Sequence, residues 1–167
     1  GVETEVYINR WLQDHGYLKY GKDNPETIMD IGHGSTAFAM DPSRIYINLK
    51  DKYPLGIVEP RDYEKIRKEI KAGMEELHFN GGKKVTRKVY LKEELYEGPF
   101  IEQAPDLVVL SHHGYDLKGK VKADGVFGHS GLVGMHTQDD AFYFGSDNIA
   151  CRSIFDIKKI ITQGLSS

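Results

Sequence analysis

A chain of 167 residues and 18.9 kDa with 40% hydrophobic and 28% charged residues has the material for a core of its own, which excludes collagen-like, low-complexity and disordered classes. Lys and Arg number 22 against 25 Asp and Glu, a net charge of −3, and a binder of nucleic-acid duplex would carry a basic excess instead. One cysteine, Cys151, excludes an intrachain disulfide and a Cys-rich zinc site, and no apolar run reaches the roughly 18–20 residues of a membrane span, so the expectation is a cytoplasmic protein with no membrane contact and no signal peptide at its acidic start.

The first element read along the chain is a helix from Tyr7 to Asp14. Ile8, Trp11, Leu12 and His15 share a face, Thr4 is a candidate cap and Gly16 a stop. A polar stretch from Gly21 to Ser35 reads as loop. Ala37–Met40 and Arg44–Leu49 read as strands joined by the turn residues Asp41, Pro42 and Ser43. The clearest helix runs from about Asp62 to Leu77, with Tyr63, Ile66, Ile70, Met74 and Leu77 on one side and a Glu64–Lys68 pair in support. Asn80-Gly81-Gly82 ends it. Val85 to Leu91 alternates as a strand, with Val85, Arg87, Val89 and Leu91 on one face. Leu107–Leu110 is continuously apolar, as a strand covered on both faces would be. Asp140–Phe144 reads as a short strand, and Ser153 with Asp156 opens a last helix as a capping box. Helices and strands alternate without an internal repeat or a linker. The reading is an α/β chain, 1–167 being a single domain or a fragment.

The residues that invite chemistry are histidines in Gly-containing or turn segments: His15 beside Asp14, His112 and His113, and His136 ahead of Asp139 and Asp140, with His33 and His129 in other loops. Imidazole and carboxylate suit zinc or manganese, and a hydrolytic centre needs about three such donors converging around an open position. These segments permit such a centre without showing one. Asp14 and His15 read more simply as helix-end residues, His15 being favourable at the negative end of the dipole. His112 and His113 point in opposite directions after a strand and read as a surface turn. Asp139 and Asp140 serve equally as a turn entering a strand. Cys151 has no catalytic signature around it, and neither a nucleophile elbow nor a phosphate-cradling glycine loop is present.

The order of several short motifs is more specific than any one of them. Asn9-Arg10-Trp11-Leu12 ending in Gly16-Tyr17-Leu18 is followed by Thr36-Ala37-Phe38-Ala39, Ile45-Tyr46-Ile47-Asn48-Leu49 and Pro54-Leu55-Gly56-Ile57-Val58. Then come Tyr96-Glu97-Gly98-Pro99, Ala104-Pro105-Asp106-Leu107, Gly114-Tyr115-Asp116-Leu117, Gly134-Met135-His136-Thr137, Asp140-Ala141-Phe142 and Ser153-Ile154-Phe155-Asp156-Ile157. In that order they resemble the type I phosphodiesterase/nucleotide pyrophosphatase family of the alkaline phosphatase superfamily. The resemblance implies a C-terminal portion of an alkaline-phosphatase-like fold, a mixed sheet with flanking helices.

It further implies a parent hydrolase in which two divalent metals, zinc or possibly manganese, flank a Thr or Ser nucleophile. The substrate would be a phosphate ester or a nucleotide. Of the ligands, only the last matches here, at His136. Asp14-His15-Gly16 spells the family's metal motif but sits inside the Asn-x-Trp-Leu helix, downstream of where that motif belongs, so no metal role passes to it. Thr137-Gln138 departs from the family's usual Arg, so the neighbouring substrate contact is not carried over. The chain by itself would then be inactive, since one donor does not hold zinc. Residues from about 48 to 96 would be an insertion-like part that shapes specificity, and self-association through uncovered apolar surface is a further expectation. Two other classes stand beside this one: a self-sufficient metalloenzyme built from His15, His112 or His113 and His136, and a non-catalytic α/β module that binds a ligand or a protein.

Overall fold

The computed structural model describes residues 1–129, 131, 134–136 and 150–164. The chain divides into two compact units, Gly1–Met135 and His136–Ser167. The first contains both helices and sheets, so the fold is mixed α/β.

The first unit opens with strand β1 (Thr4–Tyr7), which passes straight into helix α1 (Ile8–Asp14). The strand was not legible from its four residues. It forms because Val6 and its neighbours pair with segments more than a hundred residues away: parallel with β8 (Tyr115–Lys118) and antiparallel with β9 (Phe127–Gly128). Thr4 is therefore not a helix cap. Its hydroxyl donates to the Gly128 carbonyl at 2.8 Å, and Tyr7 takes the N-cap position without a side-chain capping bond. Gly16 ends the helix region at φ 79°, as the sequence suggested.

The 21–35 stretch is irregular apart from a 3-10 turn, Ile28–Asp30, that is capped at both ends of its first bond set. Thr27 Oγ1 accepts from Met29 N, and Asp30 Oδ2 accepts from Glu26 N at 2.7 Å and Thr27 N at 3.1 Å. Those two backbone donors, then Lys22 at 3.0 Å, hold the exposed Asp30 carboxyl down to a pKa of about 2. A depressed carboxyl stabilises the fold above its unfolded value and loses that contribution as pH falls through its folded one. The Glu26 and Thr27 amide resonances should accordingly hold their positions as pH is lowered through ~4, where a free Asp titrates, and shift only near about 2. A midpoint near 4 would mean that the cap does not form in solution.

Strands β2 (Ala37–Ala39) and β3 (Arg44–Ile47) make the expected hairpin, with the Asp41 carboxylate accepting from Ser43 N and Arg44 N across the turn. Helix α2 (Pro60–Glu75) starts on Pro60 rather than after it, because proline's missing N–H costs nothing at the first helical position. Its inward face buries Ile70 and Met74 as expected, and also Arg67. Glu64 bonds Arg67 at 2.7 Å rather than supporting Lys68.

A tight hairpin follows, β4 (His78–Phe79) and β5 (Lys83–Lys84), turned by Asn80 and Gly81 at φ 48° and 73°. Strand β6 (Thr86–Leu91) and the short helix α3 (Lys92–Leu95) come next. After a 3-10 turn at Ile101–Gln103, β7 (Leu107–Ser111) lies between β3 and β6.

Two sheets therefore organise the unit: β2-β3-β7-β6, antiparallel throughout, and the mixed β8-β1-β9. Helix α2 lies against β3, β6 and β7, and α1 against β2. The core joins Ile8, Leu12, Ile45, Ile47, Ile70, Met74, Val85, Val89, Leu107 and Val109, and each of the larger side chains contributes about 2 kcal/mol by leaving water. A register shift between Thr86 and Lys88 breaks the expected alternation of β6. Val85 and Thr86 are both buried in consequence, while Arg87 and Lys88 both face solvent.

In the second unit, helix α4 (Asp156–Gly164) begins after a turn in which the Asp156 carboxylate accepts from Arg152 N and Ser153 N, both at 2.9 Å. Half of the expected box is present: Ser153 Oγ instead accepts from Phe155 N. The expected strand 140–144 lies outside the described residues.

Candidate functional site

His136 is exposed and lies in an irregular segment. Asp139 and Asp140 lie outside the described residues. Among the described residues no three His, Cys, Asp or Glu side chains converge as a metal centre needs.

The other histidines take the plain roles read for them. His15 Nδ1 faces the Trp11 carbonyl at 2.8 Å, and its ring stacks on the indole with centroids 4.0 Å apart. Asp14 pairs with Arg10 at 2.7 Å. His112 and His113 are exposed just after β7, and His33 is exposed in its loop.

The residues quoted for the resemblance hold the scaffold together. Asn9 is fully buried, accepts from Ala39 N at 2.9 Å, and donates to the carbonyls of Ala39 at 2.8 Å and Gly119 at 3.0 Å. Asn48 donates to Ser35 O at 2.8 Å and Leu55 O at 2.7 Å. Each bond satisfies a backbone group that a loop would otherwise leave unpaired in the interior.

Asp106 does more than the sequence suggested. In the chain it is one residue of the Ala104-Pro105-Asp106-Leu107 motif; in the fold it is fully buried. One carboxylate oxygen accepts from Ile47 N at 2.7 Å, the other from the Tyr63 hydroxyl at 2.6 Å, and the Lys92 ammonium stands 3.6 Å away. Burial, then this bond, pushes the Tyr63 hydroxyl far above its ordinary range, so it remains a donor. Beside it, Arg67 is buried with its guanidinium 4.9 Å from the Tyr63 ring centroid, donates to both oxygens of Glu93 at 2.8 Å, and reaches Glu64. Burial works against the Glu93 charge, but the Arg67 bonds prevail and hold its pKa below the usual range.

This network backs a hollow of about 460 Å³ whose lining includes Leu49, Lys50, Lys52, Tyr63, Lys92 and Glu102. Its cations are already engaged. Lys50 pairs with Glu59 at 2.7 Å, Lys52 donates to the Glu102 carbonyl at 2.7 Å, and Lys92 lies between Glu102 and Asp106. It is a polar wall with little charge to spare for a ligand.

A second hollow, of about 450 Å³, opens where β1 meets α1, between Tyr7, Phe127 and the 120–125 loop. Lys120, Lys122, Asp124 and His129 stand around it. In the sequence these charges resemble an ordinary solvated loop, and nothing local marks them.

Comparison with family models, with curated proteins and with solved structures finds no match to this chain. No helix among the described residues is long and apolar enough to cross a membrane.

Proposed function

We propose that the chain is the C-terminal portion of a metal-dependent phosphodiesterase or nucleotide-pyrophosphatase-like phosphohydrolase of the alkaline phosphatase superfamily. The order of the motifs from Asn9 to Ile157 carries the reading. The geometry supports it indirectly. Asn9, Asn48 and Asp106 are occupied by buried backbone bonds, so these motif residues build a scaffold and leave chemistry to others.

In this reading His136 supplies one imidazole to one of two divalent ions, zinc or manganese. A single imidazole holds no ion alone, so the remaining donors and the nucleophile belong to the rest of the parent protein. When bound, such a pair of ions stabilises charge on the attacking and leaving oxygens of a phosphoryl transfer. The chain's own contribution is the wall of the substrate pocket. The polar hollow backed by Asp106 falls almost wholly within the 48–96 span expected to shape specificity, which supports placing substrate discrimination there.

The test is hydrolysis of bis(p-nitrophenyl) phosphate with zinc or manganese added, by the chain alone and by the chain joined to the sequence that precedes it in its parent. The chain alone should show no turnover. The longer protein should hydrolyse the diester, and His136→Ala should lower its rate by about 10³-fold or more, the scale on which loss of a charge-stabilising group acts. Metal-dependent turnover by the chain alone that vanishes in His136→Ala would overturn the fragment reading. A longer protein without phosphodiesterase activity would overturn the hydrolase reading.

A further inference from the structure

The 119–125 segment between β8 and β9 has no regular secondary structure, yet three residues of the β1–α1 junction pin it. Asn9 Nδ2 donates to Gly119 O at 3.0 Å, Arg10 Nη1 to Ala123 O at 3.0 Å, and Tyr7 N to Val126 O at 2.8 Å. Arg10 is itself fixed by Asp14 at 2.7 Å. The loop is therefore held in shape before any ligand arrives, which removes much of the ordering cost of binding.

What it presents is positive charge. Of the alternating lysines 118, 120 and 122, Lys118 pairs with Asp116 at 2.8 Å and lies 3.9 Å from Glu5. Lys120 and Lys122 make no ion pair among the described residues. Lys120 Nζ stands 5.6 Å from the Tyr7 ring centroid, and His129 completes the rim. The other hollow shows the contrast, since its lysines are spent on protein oxygens.

The carboxylates nearby are Asp124, on the rim, and Glu5, which accepts the Tyr7 hydroxyl at 2.6 Å. That bond first, then burial, pushes the Tyr7 pKa up to about 12, so the ring faces the hollow as a neutral surface. A Cβ at Gly128 would fall 2.6 Å from that ring, so the glycine lets the ring approach β9 closely. Two ammonium groups that are unpaired among the described residues share this hollow with the Tyr7 and Phe127 rings, in a volume suited to a small molecule, and match a compact anion attached to an apolar body.

We propose that the hollow between Tyr7, Phe127 and the loop bearing Lys120 and Lys122 binds the phosphate group of a small organic phosphate, with the organic part against the rings. The site stands on this hollow alone and needs neither a metal nor turnover.

The test is a titration of the purified chain, followed by amide NMR, with inorganic phosphate and with phenyl phosphate, EDTA being present throughout. Saturable shifts should centre on residues 120–129 and weaken as salt is raised. Phenyl phosphate should bind more tightly than inorganic phosphate. A double variant, Lys120→Gln with Lys122→Gln, lies on the surface and should keep the wild-type spectrum while losing affinity about 10-fold or more. Lys65→Gln with Lys68→Gln, on the exposed side of α2 and in neither hollow, should change nothing. Absence of saturation, or equal losses in the two double variants, would overturn the site. Equal affinity for the two probes would overturn the part given to the rings. Because no metal is present, failure here leaves the hydrolase reading standing, and failure of that reading leaves this site standing.

Discussion

Asp106→Ala costs about 3–5 kcal/mol of folding free energy, the range expected when one member of a buried charged network is removed. The carboxylate serves three donors: Ile47 N at 2.7 Å, the Tyr63 hydroxyl at 2.6 Å and the Lys92 ammonium at 3.6 Å. Lys92 is the decisive one. It is buried, its remaining carboxylate contact is Glu102 at 3.4 Å, and Glu102 is largely exposed. Urea denaturation should show the loss in the midpoint with little change in slope, and the thermal midpoint should fall by roughly 10 °C or more. Asp106→Asn should cost less, because the amide oxygen still serves Ile47 N, while the lost charge leaves Lys92 unanswered. Adding Lys92→Met to Asp106→Asn should recover part of that loss, since the buried charge goes with its partner. An Asp106→Ala protein within 1 kcal/mol of wild type would show that the network does not organise this region.

Gly56→Ala has the second large effect. A Cβ there would lie 1.9 Å from the Leu49 carbonyl oxygen and 2.6 Å from its carbon, both backbone atoms that cannot swing aside. The 49–57 loop doubles back on its own start at this point. Gly56 N donates to Tyr53 O at 2.9 Å, Ile57 N and Val58 N donate to Asn48 O, and Lys50 N donates to Val58 O at 3.0 Å. Making room for one methyl separates these strands of backbone, and the expected cost is about 2–4 kcal/mol. The damage should be local first. Limited proteolysis should cut the variant within 49–57 under conditions that leave the wild type whole. Equal protease resistance and stability would mean that the loop relaxes without loss.

The elements legible in the sequence are those whose signals are local. Asp41 and Ser43 mark the β2–β3 turn by the same carboxylate bonds that the fold shows. The spacing of Ile66, Ile70 and Met74 sets the inward face of α2, and the apolar run Leu107–Leu110 becomes an inner strand of the antiparallel sheet. Strand β1 was hidden because its four residues are specified by partners at 115–118 and 127–128, not by their neighbours. The shift in β6 was hidden for a related reason: Thr86 is drawn inward opposite Ser111, which no alternation of side chains announces. For the sites, nothing local marks Asp106 or Arg67 as interior groups, which the packed fold makes them. Nothing local marks Lys120 and Lys122 either, because the bonds that fix their loop come from Asn9 and Arg10, far upstream.

The placement of β1 also bears on how the chain acquires its fold. It lies in the middle of its sheet, with both edges satisfied only by segments that follow it by more than a hundred residues. As the chain leaves the ribosome, Val6 and its neighbours have no partner until residues 115–128 have been made. Contacts of such long sequence separation close late and slow the folding reaction. Until then β1 is a strand with two open edges, the kind of segment through which nascent chains associate. The antiparallel sheet around β7 can form without it, so the expected sequence of events is a sheet of residues 37–111 first and the first residues of the chain last.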